Sequence, residues 1–113
     1  RVASIYLPNG NPIGTDKFPY KLRWMERLRA HAATLLPLEE RLVLAGDYNV
    51  IPTEADVYDW TRWTEDALFR PESRAAFRAL QWLGLADAHA QASGRAHEYT
   101  FWDYQAGAWE RNN

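Results

Sequence analysis

Asp47 and Asn49 stand two residues apart at the end of an apolar run, in "LVLAGDYNVIP", Leu42 to Pro52. A carboxylate can bind a divalent cation or take a proton from water, and an amide two residues on can donate to an oxyanion. If residues 47–49 stay extended, the period-two alternation of a strand sends both side chains to one side. The same residue types favour local backbone hydrogen bonds, and on spacing alone an Asx-turn is the simpler reading. A second string, "YLPNG", has a similar form: Tyr6 ends an apolar stretch and Asn9 follows in a turn. Were the two strands parallel neighbours, their C-terminal ends would meet, which is where open α/β sheets build sites. Taken alone, Tyr6 and Asn9 are a strand tyrosine and a turn asparagine.

Other chemistries find little support. His31, His89 and His97 lack any metal-ligand spacing, and there is no cysteine to serve as thiolate ligand, nucleophile or disulfide partner. The chain has neither usual glycine-rich phosphate loop and no Gly-x-Ser-x-Gly elbow. Lys17, Lys21 and Arg23 could hold a phosphate backbone, although like charges on a helix usually form a solvated face.

Five elements must position these residues. "VASIYLP" predicts a strand that stops at Pro8. Residues 20–36 predict an amphipathic helix, with Met25, Leu28, Ala32 and Leu35 on one face, Trp24 and Leu36 beside it, and Lys21, Arg23, Arg27 and Arg29 largely elsewhere. Leu42 to Tyr48 is an apolar run suited to a strand covered on both faces. Residues 51–71 read as a long loop with one turn of helix. "PESRAAFRALQWLG" predicts a second helix, Pro71 in its first turn and Gly84 at its end, with Phe77, Leu80 and Leu83 as its buried stripe. Residues 85–98 have little pattern, and "YTFWDY" is a ring-rich strand. The order β-α-β-α-β implies an α/β or α+β layer in which helices cover one sheet face.

The 113 residues are 47% hydrophobic and 25% charged, which is a globular composition of one domain at most. A net charge of −2 argues against bulk electrostatic attraction to nucleic acid but permits a local basic stripe. Six Trp, six Tyr and four Phe suit a core built from rings more simply than a surface that stacks on bases. No apolar run is long enough to span a membrane, and a cytoplasmic location is expected. The chain starts directly in a strand and reads as a central segment of something larger.

"YLPNG", "KFPYKLRWMERL", "LAGDYNVIPTEADVYD", "RPESRAAFRALQWLGLADA" and "YTFWDY" occur in an order and at spacings that resemble the exodeoxyribonuclease III / apurinic-apyrimidinic endonuclease family, within the endonuclease/exonuclease/phosphatase superfamily. The resemblance covers nearly the whole chain. "GDYN" alone is shared with related phosphodiesterases and inositol-phosphate phosphatases, while "YKLRWMERL" and "TFWDY" make the match specific. It implies a DNase I-like four-layer α/β sandwich, of which residues 1–113 would be an incomplete mixed sheet with helices on one face. It also implies Mg²⁺- or Mn²⁺-dependent hydrolysis of phosphodiesters in duplex DNA, at abasic sites and 3′ ends. By the same resemblance, Tyr6 hydrogen-bonds the scissile phosphate and Asn9 contacts phosphate. Asp47 orients or deprotonates the attacking water, and Asn49 holds a phosphoryl oxygen. Phe101 and Trp109 line the pocket for the sugar that lacks a base, with Trp102 as a packing neighbour.

The family's metal-binding glutamate would precede Arg1, and its catalytic histidine with two further acids would follow Asn113. No residue of this chain is therefore assigned as a principal metal ligand. The expectation is that residues 1–113 are the central part of one domain, inactive by themselves and prone to self-associate through an exposed sheet face. After "LADA" the family often has an aromatic residue and an arginine, where this chain has His89 and Ala90. Two other readings stand beside this one: a sibling phosphodiesterase or phosphatase of the same fold, and a non-catalytic nucleic-acid-binding module.

Overall fold

The computed structural model describes residues 1–93. The expected ring-rich strand with Phe101 and Trp102, together with Trp109 and His97, lies outside the described residues.

Two strands, β1 (Val2–Tyr6) and β2 (Val43–Asp47), pair in parallel with Val2 opposite Val43 and Tyr6 opposite Asp47. Parallel neighbours need a long crossover, and α1 (Lys17–Leu35) provides it, followed by a short 3₁₀ turn over Leu36–Leu38. The helix begins three residues earlier than its pattern suggests. Pro19 falls in the first turn, where a missing N–H costs nothing. Tyr20 N–H closes the first helical bond onto the Asp16 carbonyl at 3.1 Å.

The strands approach so closely at Gly46 that only glycine fits. Its φ is +142°, and a Cβ there would lie 1.9 Å from the Ile5 carbonyl oxygen. β2 is not covered on both faces as expected: Val43 is 52% exposed, and Leu44 is the one residue of the strand that is even half-buried. Its flank opens onto a groove of about 570 Å³ shared with α2 (Pro71–Gln81) and α3 (Ala88–Ser93). The apolar run signals a strand that belongs in a covered position, and nothing among the described residues closes over it.

The connection from β2 to α2 is more than a loop with one helical turn. It makes two 3₁₀ turns, at Glu54–Asp56 and Trp60–Trp63, and folds Ile51, Val57, Leu68 and Phe69 into a buried cluster with Trp63 against it. Asp56 and Asp59 each satisfy free N–H groups at the starts of these turns, Asp56 Oδ2 accepting from Thr53 N–H at 3.0 Å and Asp59 Oδ1 from Thr61 N–H at 3.1 Å. Short polar side chains outcompete longer-range pairing in this way, which hides such turns from periodicity. α2 starts at Pro71 as expected but ends at Gln81, and Gly84, with φ +113°, closes the turn beyond it. Its stripe is as read: Leu80 buried, Phe77 and Leu83 half-buried. The short helix α3 stands where residues 85–98 showed no pattern.

Candidate functional site

The parallel pairing sets Tyr6 beside Asp47 at the joint C-terminal end of the strands. The ladder runs one bond further, Leu7 N–H donating to the Asp47 carbonyl at 2.8 Å, and Leu7 is then completely buried. Anchored on both sides, Tyr6 keeps its side chain outside, 74% exposed, and the Asp47 side chain is exposed next to it.

Residues 47–49 do not stay extended. Asn49 takes φ +47°, its N–H donates to Asp47 Oδ1 at 2.9 Å, and its Nδ2 donates to the Leu7 carbonyl at 2.6 Å. The Asx-turn is what forms, and the extended alternative with both side chains sent to one side does not. The turn folds the Asn49 amide back over the end of β1, onto the residue that follows Tyr6. An amide has two N–H donors and a carbonyl oxygen, so the bond to Leu7 fixes its plane and leaves a second donor. Tyr48, between them, turns the other way. Its hydroxyl donates to the Leu44 carbonyl at 2.6 Å, its ring meets Phe77 edge-on with centroids 5.7 Å apart, and burial pushes its phenol pKa up.

Asn9 lies in the loop after β1 with its side chain exposed, Oδ1 accepting from Asn11 N–H at 3.0 Å. Asn11 ties that loop to the segment before α2. Its Nδ2 donates to Asp66 Oδ1 at 3.0 Å and its Oδ1 accepts from Ala67 N–H at 2.8 Å. Asp66 Oδ1 also accepts from Leu68 N–H at 2.9 Å.

Lys21 corrects the expectation of a solvated basic face. Lys17 and Arg23 are exposed, but Lys21 is fully buried. Its Nζ donates to the carbonyls of Asn9 at 3.1 Å, of Ala67 at 3.5 Å, and of Asn49 through a short bond. The Ala67 carbonyl also accepts from the buried Ser73 hydroxyl at 2.6 Å. Burial, partly offset by the nearby Asp66 and Asp47, lowers the Lys21 pKa from 10.5 to about 8, so at neutral pH the amine holds its proton. The signal was present in the sequence. Lys21 is three residues after buried Phe18 and four before buried Met25, on the stripe that continues to Ala32.

The strand ends therefore gather a tyrosine, a carboxylate and two asparagines around one edge. Neutral N–H and O–H donors suit the oxygens of an anionic group, and a carboxylate can accept a proton from water. Among the described residues no three His, Cys, Asp or Glu side chains converge to hold a metal ion. His31 and His89 are both exposed and on separate helices, α1 and α3, and Ala90 follows His89 in α3. Phe101 and Trp109 lie outside the described residues.

Residues 2–113 match the model of the Endonuclease/Exonuclease/phosphatase family. The chain is 29% identical to the exodeoxyribonuclease of Bacillus subtilis (strain 168), over 98% of this chain and 44% of that protein. It superposes with a TM-score of 0.87 on the structure of an AP endonuclease from Archaeoglobus fulgidus, at 32% identity, covering 98% of this chain and 44% of the other. A TM-score of 0.88, again at 32% identity, relates it to the 3′ phosphatase NExo from Neisseria bound to product DNA hairpin, over 97% of this chain and 43% of that one. The chain thus spans under half the length of each of these proteins, and within that span it has their DNase I-like α/β fold.

Proposed function

The chain belongs to the endonuclease/exonuclease/phosphatase family, and on that premise we propose that the protein is a DNA-repair nuclease that hydrolyses phosphodiesters of duplex DNA at abasic sites and 3′ ends. The observation that carries this reading is the Tyr6–Asp47 register, with the Asn49 amide folded onto the same strand ends. Hydrolysis at phosphorus builds negative charge on the non-bridging oxygens. The Tyr6 hydroxyl and the Asn49 amide stabilise that charge as neutral donors that add none of their own. Asp47 takes the proton of the attacking water. Asn9 contacts a phosphate oxygen beside them, and Phe101 and Trp109 line the pocket for the sugar. The names of the relatives, an exodeoxyribonuclease, an AP endonuclease and a 3′ phosphatase with product DNA, support DNA as the partner.

Dependence on Mg²⁺ or Mn²⁺ is part of the proposal. Asp47 is the carboxylate that the strand ends present, and the described residues do not by themselves make a site for the ion. Its main ligands would come from beyond them, and no step above runs through it. As the family resemblance implies, the 113-residue chain alone is expected to be inactive. Cytoplasmic location completes the reading.

The test uses the full-length protein and a duplex with a single abasic site. Nicking with Mg²⁺ that stops on adding EDTA is the expected result. Cleavage of inositol phosphates with no action on the duplex would instead favour a sibling phosphatase. Tight binding of the duplex with no turnover would favour the non-catalytic module.

A further inference from the structure

Lys21 plays no part in the chemistry above, yet it and Ser73 are the buried polar side chains among the described residues. Burying an ammonium group costs several kcal/mol, and an apolar side chain of similar volume often serves a core as well or better. Packing therefore does not explain it. An ammonium has three N–H donors, and here they meet carbonyls from three separate segments, at Asn9, Asn49 and Ala67. Two of these belong to the site residues themselves. Asn49 sits at φ +47°, a conformation that a non-glycine residue keeps only where the surroundings enforce it, and Gly10, next to Asn9, turns the chain at φ +86°. Gly10 is also shaped around the lysine, because a Cβ there would lie 2.7 Å from Lys21 Cδ.

We propose that Lys21 is a positioning residue for the site: its buried ammonium group clamps the two turns that present Asn9 and Asn49 to each other and to the Ala67 segment. The proposal rests on the nuclease reading for its effect on catalysis, but the clamp itself does not. Fully buried, Lys21 is out of reach of substrate and acts through the asparagines. Its loss leaves the Asn9 and Asn49 carbonyls without their donor and frees both turns to drift. A misplacement of about 1 Å can cost on the order of 10²-fold in rate.

The test starts from Lys21→Cys in the full-length protein. The thiol is alkylated in denaturant either with 2-bromoethylamine or with 1-bromopropane, and the protein is refolded. The two side chains have the same length, and only the first ends in an ammonium group. Wild-type protein treated identically controls for thiols elsewhere. The aminoethyl form is expected to keep kcat for abasic-site nicking within about threefold of that control, and the propyl form to lose on the order of 10²-fold in kcat with a much smaller change in KM. Hydrogen exchange is followed on both forms. Faster exchange in the propyl form at residues 9–11, 49–51 and 67–69, with 71–81 unchanged, is the expected pattern. Equal kcat in the two forms, or equal exchange at the three segments, overturns the proposal. If the wild type does not nick, the nuclease reading fails first, and the exchange comparison still decides whether Lys21 is the clamp.

Discussion

At the scale of single residues, Asp47 has two roles that a substitution can separate. Its Oδ1 accepts the Asn49 N–H at 2.9 Å and holds the turn, and under the proposed function its charge takes a proton from water. Asp47→Asn keeps an oxygen that can accept the same bond but removes the base. The expected result is a loss of nicking on the order of 10²–10⁴-fold, the usual worth of a general base, with duplex affinity and the melting curve little changed. Nicking that persists in Asp47→Asn would remove Asp47 from the chemistry. The turn was the simpler reading of the spacing in "GDYN", and it is the one the chain adopts, with the Asn49 amide returning to the Leu7 carbonyl.

At the scale of elements, two features join β1, α1 and β2 into a unit. The first is the closeness of the strands at Gly46. Gly46→Ala sets a methyl group 1.9 Å from the Ile5 carbonyl oxygen, at a φ of +142° that side chains avoid. Backbone must move, and a loss of about 3 kcal/mol or more is expected in urea unfolding. Because the pairing also sets Tyr6 against Asp47, activity should fall even at temperatures where the variant remains folded. The second is Lys21 on the buried stripe of α1. Its pKa is about 8 when folded, against 10.5 as the unperturbed value. Below pH 8 both states hold the proton, and the cost of burying the charge is fully present. Between about pH 8 and 10.5 the unfolded chain binds more protons than the folded one, so the contribution of Lys21 to stability rises with pH. The urea midpoint of the wild type is therefore expected to climb relative to that of Lys21→Met from pH 8 to 10. A falling difference would show that the folded pKa is not depressed. The helix periodicity that placed Met25 and Ala32 correctly also contained Lys21, and the assumption that charges face water is what misplaced it.

At the scale of the whole molecule, apolar surface remains in view. Val2 is 77% exposed, Val43 52% and Trp82 87%, and β2 lines an open groove of about 570 Å³. Exposed apolar surface can drive association. The 113-residue chain is therefore expected to elute as a dimer or larger species in size-exclusion chromatography with light scattering, with the fraction rising with concentration. A clean monomer at high concentration would count against it. The described core has an unexpected place. Ile51, Val57, Leu68 and Phe69 cluster in the connection between β2 and α2. Residues 51–70 carry neither period two nor period 3.6, so their apolar residues were invisible as a core until the two 3₁₀ turns brought them together.

The sequence by itself determined that β1, α1, β2 and α2 exist, because periodicity and turn residues are local properties. It also contained the family, since "YLPNG", "YKLRWMERL" and "GDYN" stand in order along one chain. What only the tertiary structure decided are the long-range bonds. Those from Asn49 to Leu7 and from Lys21 to Asn9, Asn49 and Ala67 span 42, 12, 28 and 46 residues. No local pattern encodes a buried ammonium group among three carbonyls. That arrangement exists only once α1 has packed across the turns it holds.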